Sequence, residues 1–311
     1  MMERDANIFV AGHNGMVGSA IVNRLEADGY TNIITAPRDE VNLIVQESVW
    51  EFFRYNPIDY VFLAAAKVGG IQANMEFPSE FLVRNLQIQN NIFEECNRHD
   101  VKKLCFIGSS CIYPRLCPQP MKEEYLMTGP LEPTNEGYSL AKICGIKMAE
   151  YYHRDQGLNV VCPIPCNLYG LRDHFDPRKS HVMAALVKKF VDSDRHGEKS
   201  VTLWGSGKAR REFLNVWDAA RAFVILMNNF DSPEPINVGS GYDLSIEALA
   251  LMIMDRVCED YDIDIIWDTS MPDGMPRKCL DVSKIKKMGF APEIGMSVGI
   301  DNMIDQYLRL K

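Results

Sequence analysis

The chain has 311 residues, 47% of them apolar, and a net charge of −9, enough length for one large core or two fused domains. The acidic balance argues against a nucleic-acid partner, since phosphate-backbone binding needs a Lys/Arg stripe and none stands out. Nine cysteines without a C-x-x-C pair argue for reduced thiols, with Cys162 and Cys166 as core or pocket residues and no metal. No apolar run approaches the ~20 residues that cross a bilayer, so a cytoplasmic protein without a membrane partner is expected.

Asn7-Ile8-Phe9-Val10-Ala11 reads as a buried strand that runs into Gly12-His-Asn-Gly15-Met-Val-Gly18 and then a helix over 16–28. Glycines at such a turn let the backbone approach a pyrophosphate, and the helix N-terminus behind them supplies free amides and a positive dipole end. Gly12, Asn14, Gly15, Met16, Val17 and Gly18 are therefore candidate cofactor contacts. The second strand, over 31–36, ends in Pro37-Arg38-Asp39. Arg38 suits the 2′-phosphate of NADP, while Asp39 leaves a ribose-hydroxyl contact open.

Further strands are expected over 59–66, 102–109 and 159–166, with helices over 45–55, 79–98 and 134–154. This alternation predicts an α/β fold, a doubly wound parallel Rossmann-type sheet with a smaller C-terminal substrate domain. The dinucleotide-binding domain is placed at 1–166, joined by part of 212–238, and the substrate domain mainly at 167–311.

Tyr138 and Lys142 are four residues apart, so on a helix they share a face. The Lys142 ammonium is expected to favour the ionised phenol and bring Tyr138 into use near neutral pH. Ser109 and Cys111 follow the fourth strand in Gly108-Ser-Ser-Cys111. Beyond residue 166 the pattern becomes irregular, with turn-rich stretches at 170–180, 204–207 and 269–274. The basic doublets Lys188-Lys189 and Arg210-Arg211 suit a small phosphorylated ligand in a cleft beyond the carboxyl ends of the strands.

The glycine loop, Ala64-Ala-Ala-Lys-Val-Gly-Gly-Ile71, Gly108-Ser-Ser-Cys-Ile-Tyr-Pro114, Pro133-Thr-Asn-Glu136, Tyr138-x-x-x-Lys142, Ser180-His-Val182 and Arg211-Glu-Phe213 together resemble the extended short-chain dehydrogenase/reductases. More narrowly, they resemble the branch that epimerises and reduces GDP-4-keto-6-deoxymannose. The resemblance runs to Pro272-Asp-Gly-Met-Pro-Arg-Lys278 and implies an NADPH-dependent 3,5-epimerase/4-reductase acting on a GDP-sugar to give GDP-L-fucose. Cys111 and His181 would exchange protons at C3 and C5, which the 4-ketone acidifies. Tyr138 would protonate the reduced oxygen with Ser109 hydrogen-bonded to it, while Lys142 would hold the nicotinamide ribose. By the same resemblance Ala65, Pro165, Asn167, Leu168 and His181 match further cofactor contacts, and Lys189, Trp204, Arg211, Asp273 and Lys278 match substrate contacts. The family further implies a homodimer built on the helices around 79–98 and 134–154.

The sequence departs from that pattern at Asn14, Cys166, Leu171-Arg-Asp-His-Phe175 and Trp217. A related 4-keto-6-deoxy sugar, including a heptose, is the alternative substrate, and a pure 4-reductase the alternative activity. A silent NADP-binding sensor is the distant reading, against which the intact Ser, Tyr and Lys set stands.

Overall fold

Five apolar runs with no exposed face form the centre of the molecule, the signature of parallel strands covered on both sides. The computed structural model describes residues 1–176, 180–258 and 263–310. Its first half alternates β1 (Asn7–Ala11), α1 (Met16–Ala27), β2 (Asn32–Ile34), α2 (Gln46–Tyr55), β3 (Tyr60–Leu63), α3 (Ile71–Glu76), α4 (Pro78–Arg98), β4 (Lys103–Phe106), α5 (Glu136–Gln156) and β5 (Val160–Pro165). The remainder contains β6 (Asn167–Tyr169), α6 (Val182–His196), β7 (Ser200–Trp204), β8 (Arg210–Asn215), α7 (Val216–Asn229), β9 (Pro235–Val238), β10 (Asp243–Ser245), α8 (Ile246–Val257), β11 (Asp264–Asp268), β12 (Arg277–Lys278), α9 (Ser283–Lys287) and α10 (Met296–Arg309).

The main sheet runs β2-β1-β3-β4-β5-β9, and every pairing in it is parallel. Chain order reverses between β1 and β3, so a crevice opens at their carboxyl ends, where open α/β sheets bind ligands. The predicted strands are all present; β1 has its predicted bounds, and the other four are shorter than expected. The stretches past Ile34, Leu63 and Phe106 leave the ladder as loops, because there the backbone forms the rim of the crevice instead of pairing. The region after residue 166, expected to be irregular, carries regular elements whose short strands offer little periodicity to read.

Those later strands centre on β8, which pairs with β10 antiparallel and with β6 and β12 parallel. Glu212 within β8 is fully buried. Its carboxylate accepts from Gly241 N (2.6 Å) and Leu280 N (2.7 Å), tying the loop after β9 and the chain after β12 to one strand. Burial pushes this carboxyl up to about 7 against the lowering pull of those backbone donors. Two apolar cores result. One surrounds the main sheet, and the other joins α6, α8 and α10 to Leu203, Phe213 and Tyr169.

Helices α4 and α5 pack side by side, and Gln89 Nε2 of α4 donates to the Ala141 carbonyl of α5 (3.0 Å). Helix α5 ends on Gly157 in the left-handed conformation (φ 76°), a common helix stop. A glycine inside this helix, Gly145, costs helix propensity and is explained by packing. A Cβ there would lie 2.1 Å from the Phe106 ring of β4. Gly145→Val should therefore overpack the helix–sheet contact and destabilise the protein by ~1–3 kcal/mol, read as a lower thermal midpoint; an unchanged midpoint would show that α5 is not held this close.

Candidate active site

The glycine turn closes on itself and on the neighbouring strand. Gly12 has φ 90°, and a Cβ on it would meet Ala65 N at 2.7 Å; a Cβ on Gly18 would meet the Gly12 carbonyl at 2.1 Å. The first turn of α1 is thus pressed against the end of β1, with Gly15 as the N-cap residue and Asn14 exposed beside it. This is a cradle that side chains would fill, and it presents the amides around Met16 and Val17 to the crevice. Ala65, Ser109 and Pro165 lie at the carboxyl ends of β3, β4 and β5 along the same edge, with Asn167 and Leu168 following in β6. Arg38 lines a cleft of 470 Å³ with Asn42, Ile44, Ser79, Glu80, Val83, Arg84 and Gln87. Glu80 is paired there with Lys67 and Arg84, and Arg38 has no acidic partner among the described residues. The residues present therefore fit a dinucleotide carrying an additional phosphate near Arg38.

At the carboxyl end of β4 the chain turns through a short 3-10 helix, Ser110–Ile112, whose N-cap Ser109 accepts from Cys111 N (3.3 Å). Cys111 faces α5, where Asn135, Tyr138 and Lys142 stand. Asn135 Nδ2 lies 3.2 Å from Cys111 Sγ, and Lys278 Nζ lies 3.3 Å from it. Lys142 is buried; its ammonium donates to the Ile107 carbonyl (2.7 Å) and lies 5.0 Å from the Phe106 ring centre and 5.9 Å from that of Tyr138.

These positions revise one expectation. Lys142 does not bring the Tyr138 phenol down. Burial, and next the charge of Cys111, push Tyr138 well up, and the Ser109 hydroxyl only partly opposes them. Burial likewise pushes Lys142 down to about 8. Lys142 aims at a carbonyl, and the loss of water outweighs its charge. The phenol is therefore held in its protonated form, as a proton donor requires. For Cys111 the balance reverses: burial raises the thiol, but the Lys278 charge, the Ser109 and Lys278 hydrogen bonds and the Arg211 charge together hold it below its ordinary value.

His181 precedes α6 as its N-cap residue. It is solvent-accessible yet densely surrounded by protein, as a side chain facing into a cleft must be; that surrounding protein, then the charges of His174 and Lys278, lower its pKa. The opposite wall is close, since a Cβ on Gly70 would lie 3.2 Å from the Ser180 carbonyl. Lys278 contacts Cys111 directly, and its charge also reaches His181, so one cation acts on both proton-transfer candidates. Residues 177–179 of the 170–180 loop lie outside the described residues.

The basic doublets divide. Arg211 turns inward, donating to the Met275 and Asp273 carbonyls (2.5 and 3.0 Å), whereas Arg210 pairs with Asp243. Lys189 Nζ donates to the Thr202 carbonyl (2.6 Å) beside Trp204, while Lys188 pairs with Asp192. The two cations of each doublet thus meet different partners, because successive positions on a strand or helix face different ways. Trp204 is 50% exposed. The Asp273 carboxylate accepts from Ser206 N and Oγ (both 2.7 Å), fixing the turn that presents Trp204.

Three residues escaped sequence reasoning. Asn135 was visible in Pro133-Thr-Asn-Glu136 but carried no assignment. Asn85 pins the loop after β3 through Lys67 N and O (2.8 and 3.0 Å), and a lone helical Asn gives no cue. His174 approaches His181 from a loop of irregular sequence. Among the described residues, no group of His, Cys, Asp and Glu is placed to hold a metal ion, and no helix is long and apolar enough to cross a membrane.

Comparison with known proteins agrees with this geometry. Residues 8–239 match the NAD dependent epimerase/dehydratase family. GDP-L-fucose synthase 1 of Arabidopsis thaliana is 44% identical over 309 residues, covering 99% of this chain and 95% of that protein. GDP-L-fucose synthase of Escherichia coli (strain K12) is 44% identical over 310 residues, covering 97% and 96%. Among solved structures, a GDP-mannoheptose C4 reductase from Campylobacter jejuni with NADP bound superposes with a TM-score of 0.89 at 33% identity, covering 99% of this chain and 100% of that one. The chain belongs to the NAD dependent epimerase/dehydratase family, among relatives that include the GDP-L-fucose synthases.

Proposed function

We propose that this protein is an NADPH-dependent enzyme that epimerises GDP-4-keto-6-deoxy-D-mannose at C3 and C5 and reduces its 4-ketone, giving GDP-L-fucose. The observation that carries the reading is the meeting of a Ser109–Tyr138–Lys142 set with Cys111 and, across the cleft, His181. Reduction needs only the first set. A second proton-transfer pair has no use in a simple ketone reductase.

NADPH, when bound, supplies the hydride equivalent for C4. The glycine cradle and α1 amides would hold its pyrophosphate, Arg38 its 2′-phosphate, and Lys142 its nicotinamide ribose, with Ala65, Pro165, Asn167 and Leu168 along its path. Cys111 removes a proton next to the ketone, and the charge that develops on the C4 oxygen is met by the Ser109 hydroxyl and the Tyr138 phenol. His181, which is open to solvent and takes its proton from water, returns a proton from the opposite side. Before the second carbon is inverted, Cys111 releases its proton to water and His181 takes up another. Once both carbons are inverted, Tyr138 gives its proton to the C4 oxygen. Arg211 and Lys189 face the substrate's diphosphate, with Trp204 against the nucleotide.

The similarity to a heptose C4 reductase supports a second reading, reduction of a related GDP-4-keto sugar. The two part at Cys111 and His181, so incubation with GDP-4-keto-6-deoxymannose and NADPH, with product identification by NMR, decides between them. The uninverted sugar as sole product would refute the leading reading. We further propose a cytoplasmic homodimer through α4 and α5; on α5, Leu140, Cys144 and Tyr151 form an exposed stripe at helical spacing. Light scattering that returns the mass of one chain would refute the dimer.

Arg38→Ala should weaken NADPH by ~1.5–3 kcal/mol, the worth of a charge-assisted hydrogen bond, and leave NADH unchanged in a fluorescence titration; equal weakening of both would assign Arg38 to the fold. Tyr138→Phe should lower the rate of cofactor oxidation by ~100-fold to 10,000-fold with unchanged NADPH affinity. A near wild-type rate would remove Tyr138 as the proton donor.

A further inference from the structure

Two donors converge on one sulfur. Lys278 Nζ lies 3.3 Å and Asn135 Nδ2 3.2 Å from Cys111 Sγ. The Ser139 hydroxyl donates to the Asn135 backbone carbonyl (3.1 Å) and holds the turn that presents this side chain. An ammonium accepts nothing, and the amide nitrogen is likewise a donor only. Both therefore need an acceptor at the sulfur, and a buried ammonium at this range favours the negatively charged acceptor over the neutral one.

Lys278 is built into this position. The two-residue strand β12 lies parallel to β8, with Lys278 beside Arg211. On one side Arg277 is clamped to Asp243 by two hydrogen bonds of 2.9 Å. On the other, Cys279 N donates to Gln119 Oε1 (3.0 Å) and Leu280 N to the buried Glu212. The Lys278 side chain is itself buried, so its charge acts where water does not screen it.

We propose that Lys278 and Asn135 hold Cys111 Sγ as a thiolate in the substrate-free enzyme, so that Lys278 is a positioning residue for proton removal and more than a contact for the substrate's phosphates. The idea rests on Cys111 being a proton-transfer group. The charges that face the sulfur agree: Lys278 from β12 and Arg211 from β8 favour the anion, and Tyr138 of α5, held protonated, adds no opposing charge. Glu132 stands near enough to Arg211 to interact with it and is paired with Arg115. In the reaction an S–H bond forms as the C–H bond breaks. The electron pair left on carbon is delocalised onto the C4 oxygen, and Lys278 keeps its protons throughout.

The test is the pH dependence of Cys111 alkylation by iodoacetamide in the full-length protein without substrate, followed at the Cys111 peptide by mass spectrometry. The wild-type midpoint should fall below the ~8.5 of a free thiol. A lowered pKa keeps the thiolate populated to lower pH, so removing the cation should move the midpoint up. Lys278→Met should slow alkylation at neutral pH about tenfold for each pH unit of that move, and Lys278→Arg should restore most of it. Cys117, a half-buried thiol pushed up by burial, serves as the internal control and should not change. A wild-type midpoint at or above that of a free thiol, or a Lys278→Met profile identical to wild type, would overturn the proposal.

Should Lys278→Met fold poorly, the ultraviolet thiolate absorbance lost between wild type and Cys111→Ser at neutral pH gives the same answer without touching Lys278: a loss supports the thiolate, and no loss contradicts it. A failed function reading looks different. The alkylation profile would still be shifted, but wild type would form product without exchanging protons at C3 or C5.

Discussion

Loss of water from the floor of the cleft is the constraint on which the chemistry depends. Crowding by protein acts on four side chains, with Lys142 buried, Tyr138 and Cys111 half-buried and His181 at the open side of the cleft, and leaves each in a distinct state. It pushes the Tyr138 phenol up, Lys142 down to about 8, and His181 down. Cys111 escapes the trend because two cations, Lys278 and Arg211, stand where its charge would form. Desolvation weakens a charged form unless an opposite charge is supplied at close range, and the fold supplies one at a single residue of the four. The outcome is a protonated donor beside an ionisable base, which is what reduction and epimerisation in one cleft require.

That arrangement is produced by two structural units meeting along one edge. The parallel sheet brings the glycine turn, Ala65, Ser109 and Pro165 to the carboxyl ends of its strands. Strand β8 and its partner β12 then carry Arg211 and Lys278 across that edge. Glu212, between them in sequence and buried, binds the loop after β9 and the chain after Lys278 to the same strand. The position of the Lys278 charge thus depends on pairing contacts made well away from the main sheet.

Five of the six strands of the main sheet were legible in the sequence, four of them because strands buried on both faces read as continuous apolar runs separated by amphipathic helices, whereas β9 was not predicted as a strand. Helices α1, α2, α4 and α5 begin and end within two residues of their predicted bounds. The later elements were hidden, since β10 and β12 span only three and two residues and their partners are set by long-range pairing. Site residues were readable where a motif carries them, as with Tyr138 and Lys142. Their electrostatic state was not, because helical spacing places Lys142 on the face of Tyr138 but cannot reveal that its ammonium turns to the Ile107 carbonyl. The contact between Cys111 and Lys278 joins positions 167 residues apart and leaves no local trace.

The central claim is that one cleft performs both proton exchange and reduction, and the most direct measurement is deuterium incorporation into the product formed in deuterated water. The account predicts one deuterium at C3 and one at C5 of the product from wild type, and little at either from Cys111→Ser. Product from wild type that carries no deuterium at C3 and C5 would contradict it, leaving a 4-ketone reductase in which Cys111 and His181 do no chemistry.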